Sequence, residues 1–367
     1  MSEREVALAI VGAGPGGLAT AAQAASLGIE TVVLDLYARP GGQFFKLPAS
    51  DFPSARPGKT QLQGLQLIAQ AERAGAEIWC EATVWGLYRE RPYLLCVSRQ
   101  GPHRLRAQKV VLATGAYDRP VPFPGWTLPG VMTAGGVLVL LKSQRALPGR
   151  RILLAGSGPL QVSVAAHLAA AGAHVAGMLE MRSLSHLLSA WRHAPALRGQ
   201  RVRLGEALAY LRALRQAGVP IRLGWTIVRA EGRESVERAV IARADPSGRP
   251  LPGTEETLEV DTICTGYGLV PATQLSRQVD CIHRFHPRLH VHLPARDAWL
   301  QTSCEGLFVV GDAAVISGKE AAAQVRLRAV GLNIMGADTQ RVTVQPRGTA
   351  TVDWQVEARD IGDARVT

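Results

Sequence analysis

Gly12, Gly14 and Gly17 stand at G-x-G-x-x-G spacing, and Asp35 closes an apolar run further on. Residues of this kind hold a dinucleotide rather than break bonds. Gly12 permits a tight turn. Gly14, followed by Pro15 and Gly16, lets backbone approach a pyrophosphate, and Gly17 lets a helix lie close on a strand. Asp35 is positioned to accept hydrogen bonds from a ribose, with Leu36 beside it. Gly41-Gly42-Gln43 follows, either passing close to a cofactor or forming an ordinary surface turn. The Thr83-Val84 region is placed to face an adenine. A second, imperfect set appears at Gly156, Gly158 and Glu180. Its third glycine position holds Gln161, whose side chain is expected to push helix from strand or to crowd a pyrophosphate. If it binds a nucleotide, Glu180 favours an NAD-type ribose over a 2′-phosphate. A structural unit with no ligand is the stronger reading, so NAD(P) is doubtful.

Other reactive side chains carry less. Cys80, Cys96, Cys264, Cys281 and Cys304 are far apart in sequence and form no C-x-x-C. They give no disulfide framework, no iron–sulfur ligand set and no redox dithiol. Cys264 and Cys304 read as small buried hydrophobes. His283, His286, His290 and His292 invite a metal reading, with His290 and His292 on one strand face. No carboxylate completes a set, and a polar surface loop is the better reading. Tyr267 stands near a cofactor or simply packs.

The elements that must position these residues follow from apolar patterning. Val6–Val11 and Thr31–Leu34 are strands buried on both faces, joined by a small-residue helix, Leu18–Leu27. This is the fingerprint in its required context. Residues 47–60 are loop, Gln61–Ala74 an amphipathic helix and Glu77–Leu87 a strand. Tyr93–Val97 and Arg104–Leu112 form a hairpin. The prolines from Pro120 to Pro129 mark a domain boundary. Residues 131–145 are helical. The fingerprint restarts at Ile152–Ala155, with a helix to Ala171 and a strand, His174–Leu179. Residues 182–215 are helical in part. Ile221–Val228, Val236–Ala242, Leu258–Cys264 and Gly306–Val310 are strands, and a helix runs from about Lys319 to Leu332. The expected division is residues 1–118 and 254–337 as one domain, 119–253 inserted into it, and 338–367 as a tail.

At 367 residues the chain exceeds one typical core. No apolar run is long enough to span a bilayer. A strand begins almost at once, so no signal peptide is expected, and the location is cytoplasmic. The net charge of +11 is mostly arginine, scattered apart from groups at Arg198–Arg203 and Arg326–Arg328. No aromatic-interleaved basic stripe points to nucleic acid. A solvated surface comes first and docking to an acidic partner second.

Three anchors, Gly12–Asp35, Ala113-Thr114-Gly115 and Gly311-Asp312-Ala313 after an apolar strand, together resemble the two-dinucleotide-domain flavoproteins of the glutathione and thioredoxin reductase class. The resemblance covers residues 5–335. It implies an α/β fold of two Rossmann-like dinucleotide-binding domains, the second inserted in the first. It also implies FAD in the first domain, Asp312 at the ribityl chain, and a following helix aimed at the flavin ring, where its dipole favours negative charge. Asp118–Trp126, Leu128–Val131, Gly156–Gln161 and Cys264–Gly268 narrow the match to heteromeric amine and amino-acid dehydrogenases. These include hydroxyproline dehydrogenase alpha subunits, opine oxidase A subunits, sarcosine oxidase alpha and the flavoprotein subunit of hydrogen cyanide synthase. Gln161 is a feature of that family.

The resemblance implies a hetero-oligomer. An amine-oxidising flavoprotein subunit would deliver electrons, which this chain relays with its FAD. Another flavin, FMN, would sit at the subunit interface. Many relatives carry a C-terminal cysteine-rich [2Fe–2S] domain that is not seen here, so a small iron–sulfur subunit would supply that centre. Contact with the inner membrane would come through the complex. Some relatives hold only an adenine nucleotide in the first site. No catalytic acid or base is assigned, because a flavin carries its own chemistry. Disulfide reduction is excluded, since no cysteine pair follows Gly41–Phe44 or sits in the second unit. Two rivals remain, a stand-alone FAD-dependent NAD(P)H oxidoreductase and a scaffold subunit with a structural nucleotide.

Overall fold

The computed structural model describes residues 2–49, 57–185, 201–287 and 289–314, with short strands at 321–323, 330–333, 342–344, 350–351 and 359–365. Contacts divide the chain into two units, Met1–Tyr117 with Val270–Thr367, and Asp118–Leu269. Each is a Rossmann-like α/β unit, and the second interrupts the first.

In the first unit, β1 (Ser2–Val11), α1 (Pro15–Ser26) and β2 (Thr31–Leu34) form the opening βαβ. A short helix, α2 (Gly42–Phe45), and a long one, α3 (Lys59–Arg73), lead to β3 (Glu77–Trp79). Three strands follow: β4 (Thr83–Tyr88), β5 (Tyr93–Ser98) and β6 (Pro102–Leu112). The sheet runs β3-β2-β1-β6-β5-β4. Leu8 and Ile10 point to the α1 side, with Leu18, Ala21 and Phe45. Ala9 and Val11 point to the opposite core. That alternation within an all-apolar run buries both faces. The expected strand Glu77–Leu87 is two strands. Glu81 takes φ 54°, and its N–H turns to the Tyr37 carbonyl. β3 then pairs parallel with β2 while β4 pairs antiparallel with β5.

The chain crosses out through β7 (Ala116–Asp118). The inserted unit begins with β8 (Val131–Thr133) and α4 (Ala134–Val139), which continues as a π-helical turn, Leu140–Gln144. Residues 131–145 are therefore not all helical: Val131–Thr133 is paired with a neighbouring strand before Thr133 caps α4 by accepting from Gly136 N–H. Next come β9 (Arg151–Gly156), α5 (Pro159–Ala170) and β10 (His174–Glu180). A helix, Arg201–Gln216, precedes β11 (Ile221–Leu223). Then follow β12 (Trp225–Glu231), β13 (Arg238–Arg243), β14 (Glu256–Glu259) and β15 (Thr262–Gly266). The parallel sheet is β11-β10-β9-β15-β8, and β12-β13-β14 is a separate antiparallel sheet. Gly224, at φ 72°, divides the strand expected over Ile221–Val228, and the one expected over Leu258–Cys264 splits between the two sheets. The unit therefore extends to Leu269 rather than ending at 253, because β14 and β15 complete its own sheets.

The chain re-enters through β16 (Leu269–Pro271) and a short helix, Gln274–Gln278. A hairpin of β17 (His283–His286) and β18 (Val291–Pro294) precedes β19 (Leu307–Val309). β19 pairs parallel with Val110–Leu112, the last stretch of β6, whose first half pairs with β5. Of the helix expected over Lys319–Leu332, the described residues Ala321–Ala323 and Val330–Asn333 are strands. They pair with Val342–Val344 and Arg359–Arg365, which supply the backbone bonds a helix would have made within itself. The expected tail, 338–367, thus contains strands. The Arg198–Arg203 and Arg326–Arg328 side chains lie outside the described residues.

Candidate functional site: a glycine cradle at the carboxyl ends of β1 and β6

In an open parallel sheet, strand order reverses at one point, and ligands bind at the carboxyl ends there. In the first unit that point lies between β1 and β6. Gly12 follows β1 at φ 106°, and a Cβ on it would stand 2.3 Å from the Ala113 carbonyl oxygen just past β6. A Cβ on Gly17 would stand 1.9 Å from Gly12 O, so α1 lies directly on the turn. Gly14 differs: a Cβ there would meet nothing within 4 Å. Its N-terminal position on α1, with Pro15 behind it, opens free N–H groups and the positive end of the helix dipole to that space.

The other expected residues converge on this turn to different degrees. Ala13 N–H donates to Asp35 Oδ2 at 2.6 Å, and Tyr37 N–H to Oδ1 at 2.9 Å. Asp35 is only 4% exposed, and burial raises its carboxyl above the usual range while the two N–H donors and Lys46 pull it back. Leu36 beside it is exposed. Gly41 N–H bonds the Ala13 carbonyl, and a Cβ on Gly42 would lie 2.9 Å from Gly14 Cα. The glycine pair therefore abuts the Gly12–Gly17 turn. The Gln43 amide donates to the Tyr37 hydroxyl. Thr114 Oγ1 donates to Ala272 O at 2.7 Å, and Ala272 N–H returns a bond to Gly115 O. Gly311 backs onto the helix start, where a Cβ on Gly16 would stand 3.6 Å from Gly311 Cα. Asp312 is exposed and Ala313 buried in the short 3-10 turn Gly311–Ala313. Val84 is half-buried against the opposite core.

The second copy is arranged differently. Gln161 is 2% exposed and donates from Nε2 to Gly266 O at 3.0 Å. It fills the gap between the turn and β15, where the first unit has glycine against Ala113. It therefore braces the turn from beneath rather than crowding its outer face. Glu180 accepts from Ser157 Oγ at 2.6 Å, Gly158 N–H at 3.0 Å and Arg182 N–H at 3.1 Å. Arg182 also donates to Ser157 Oγ and lies over Gly158. Gly156, Gly158 and Glu180 are thus together, with Glu180 held by loop N–H groups as Asp35 is, but with Arg182 over Gly158 where Gly14 has open space.

Two further groups leave no mark in the sequence pattern. Lys46 is buried in the first unit with its ammonium 3.5 Å from the Tyr37 ring centroid; a lysine after Phe44-Phe45 carries no spacing signal. Cys281 and Cys304, separate in sequence, have sulfurs 3.4 Å apart. Burial pushes the Cys281 thiol up to about 11. Long-range packing pairs them, which spacing does not reveal. His290 sits in a turn at φ 49°, not on a strand face with His292, and His283 is engaged by Ser276 Oγ and Cys281 O. Among the described residues no group of three or more His, Cys, Asp or Glu is fit to hold a metal ion. Tyr267 is paired with Thr226 in the inserted unit.

A family model, pyridine nucleotide-disulphide oxidoreductase, matches residues 6–330. The chain belongs to that family. Within it, the chain is 33% identical over 317 residues to hydrogen cyanide synthase subunit HcnB of Pseudomonas aeruginosa, covering 85% of this chain and 67% of that one. It is equally 33% identical, over 333 residues, to the A subunit of opine oxidase from Rhizobium meliloti, covering 88% of this chain and 70% of that one. Among solved structures, T. acidophilum thioredoxin reductase matches with a TM-score of 0.61 at 17% identity, over 86% of this chain and 92% of that one. The oxidoreductase family, the kinship with subunits of heteromeric oxidases and the thioredoxin reductase-like fold are thereby shown. No described helix is long and apolar enough to cross a membrane.

Proposed function

We propose that this family member is the FAD-binding electron-transfer subunit of a heteromeric amino-acid oxidase or dehydrogenase, acting with an amine-oxidising partner subunit. The observation that carries this reading is the convergence of Gly12–Gly17, Ala113–Gly115 and Gly311–Ala313 on one cradle with Asp35 at its side. Gly14, Gly115 and Gly311 each leave open space where a Cβ would stand, which fits a bulky cofactor threading past all three. Bound FAD would supply the redox chemistry. The chain's part is to hold it: α1 N–H groups toward the pyrophosphate, Asp35 toward the ribose, and Gly311–Ala313 toward the chain beyond. Kinship with HcnB and the opine oxidase A chain supports a hetero-oligomer and an amine-type donor. FMN at an interface and a [2Fe–2S] centre in a small subunit belong to the same proposal.

Gln161 wedged beneath the second turn and Arg182 lying over Gly158 argue against direct NAD(P)H oxidation. Co-expression with genomic neighbours, followed by absorbance spectroscopy and identification of the released cofactors, tests the proposal. The expected result is a flavin spectrum together with a co-purifying amine-oxidising subunit. Rapid bleaching of the flavin by NADH with the chain alone would establish the stand-alone reductase instead. A bound adenine nucleotide without flavin absorbance would establish the scaffold.

A further inference from the structure

Lys46 is placed where a lysine is costly. It is 8% exposed, and among the described residues no carboxylate pairs with it and no acceptor bonds its ammonium. What it has is the face of Tyr37, 3.5 Å away, and the field of Asp35. A ring face offers no hydrogen-bond acceptor, so this ammonium, on a side chain mostly out of water, keeps donors free for a ligand.

Its surroundings are fixed rather than incidental. Phe45, fully buried, packs on α3 at Gly64, where a Cβ would stand 2.7 Å from the ring. Gln61 holds the Lys46 carbonyl. The glycine pair ahead of it is tied to Ala13 and abuts Gly14. Tyr37 is held on both sides, its hydroxyl by Gln43 and its N–H by Asp35. Lys46 therefore stands beside Asp35 and Tyr37 on a segment tied to the Gly12–Gly17 turn.

We propose that Lys46 is a ligand-binding residue of this site, its ammonium serving as counter-charge to a phosphate-bearing adenine nucleotide. The proposal rests on the reading of the cradle as a nucleotide site. It makes affinity depend on the ligand's phosphates, not only on its adenosine. It also separates Lys46 from a structural lysine. Removing a cation that only braces the fold weakens the fold, whereas removing one that lacks a partner until ligand arrives does not.

The test is calorimetric titration of the cofactor-stripped full chain with ADP and, separately, with adenosine, for the parent, Lys46→Met and Lys46→Arg, alongside thermal melting without ligand. Lys46→Met is expected to lose about tenfold or more in ADP affinity, to change adenosine affinity less than about twofold, and to melt no lower than the parent. Lys46→Arg keeps most of the ADP affinity. Equal losses for ADP and adenosine, no loss at all, or a lowered melting point with unchanged affinity would overturn the assignment. A parent chain that binds neither probe overturns the reading of the cradle itself, and the Lys46 role with it.

Discussion

Two glycines at the start of the same helix do opposite jobs. Gly17 is fixed by packing, since any Cβ there collides with Gly12 O, so Gly17→Ala should disturb the fold itself. Gly14 has φ −76° and open space around its missing Cβ. Gly14→Ala is therefore expected to fold with a parent-like melting curve yet release the nucleotide during purification, read as loss of cofactor absorbance. Asp35 gives a pH-dependent counterpart. Burial raises its folded-state value, so the native chain takes up this proton more readily than the unfolded chain. Its contribution to stability accordingly falls as pH rises from the ordinary 3.8 through the raised value. Ligand binding runs the other way, because a ribose hydroxyl needs the carboxylate as acceptor. Nucleotide affinity should weaken on acidification through that raised value, and Asp35→Asn should flatten the profile when titrations are compared between about pH 4 and pH 7. The placement of the glycines and Asp35 around one turn was legible because it follows from neighbours close in sequence. Lys46 and the Cys281–Cys304 pair were not, since their meaning depends on which distant side chain stands opposite.

At the scale of elements, one βαβ design appears twice with different fillings. In the first unit glycine meets Ala113 across the turn; in the second the Gln161 amide bridges to Gly266. The spacing exposed Gln161 as an anomaly, but its direction depends on where β15 ends, about a hundred residues away in sequence. Gly266 O also accepts from Ser157 N–H, so Gln161→Ala strips one of its two donors and leaves a gap beneath the turn. A loss of about 1–3 kcal/mol is expected by chemical denaturation, with nucleotide affinity in the first unit unchanged. Strand existence was legible from apolar runs, whereas strand breaks were not. Glu77–Leu87 and Leu258–Cys264 each read as one strand because both halves carry strand-like patterning, and the choice of partner strand separates them. In the first of these the break falls at the left-handed Glu81, which leaves no mark on hydrophobic period.

For the whole molecule, the insertion was legible from the repeated fingerprint and the prolines, and its far boundary was misplaced because β14 and β15 look like any other strands. The nested arrangement also orders events on the ribosome. Val110–Leu112 of β6 awaits β19, which is made only after the whole of Asp118–Leu269. Synthesis usually lets the N-terminal domain fold first. Here the inserted unit, contiguous and carrying its own two cores, is complete while the first unit still has an open sheet edge. Stalled nascent chains long enough for Leu269, but not Leu307–Val309, to have cleared the exit tunnel should yield a protease-resistant fragment from the middle of the sequence. Protection of Ser2–Leu112 should appear only once Leu307–Val309 has cleared the exit tunnel. For this chain the last part of the first unit to be translated closes its sheet, so a premature stop before β19 sacrifices the cradle while sparing the domain nested inside it.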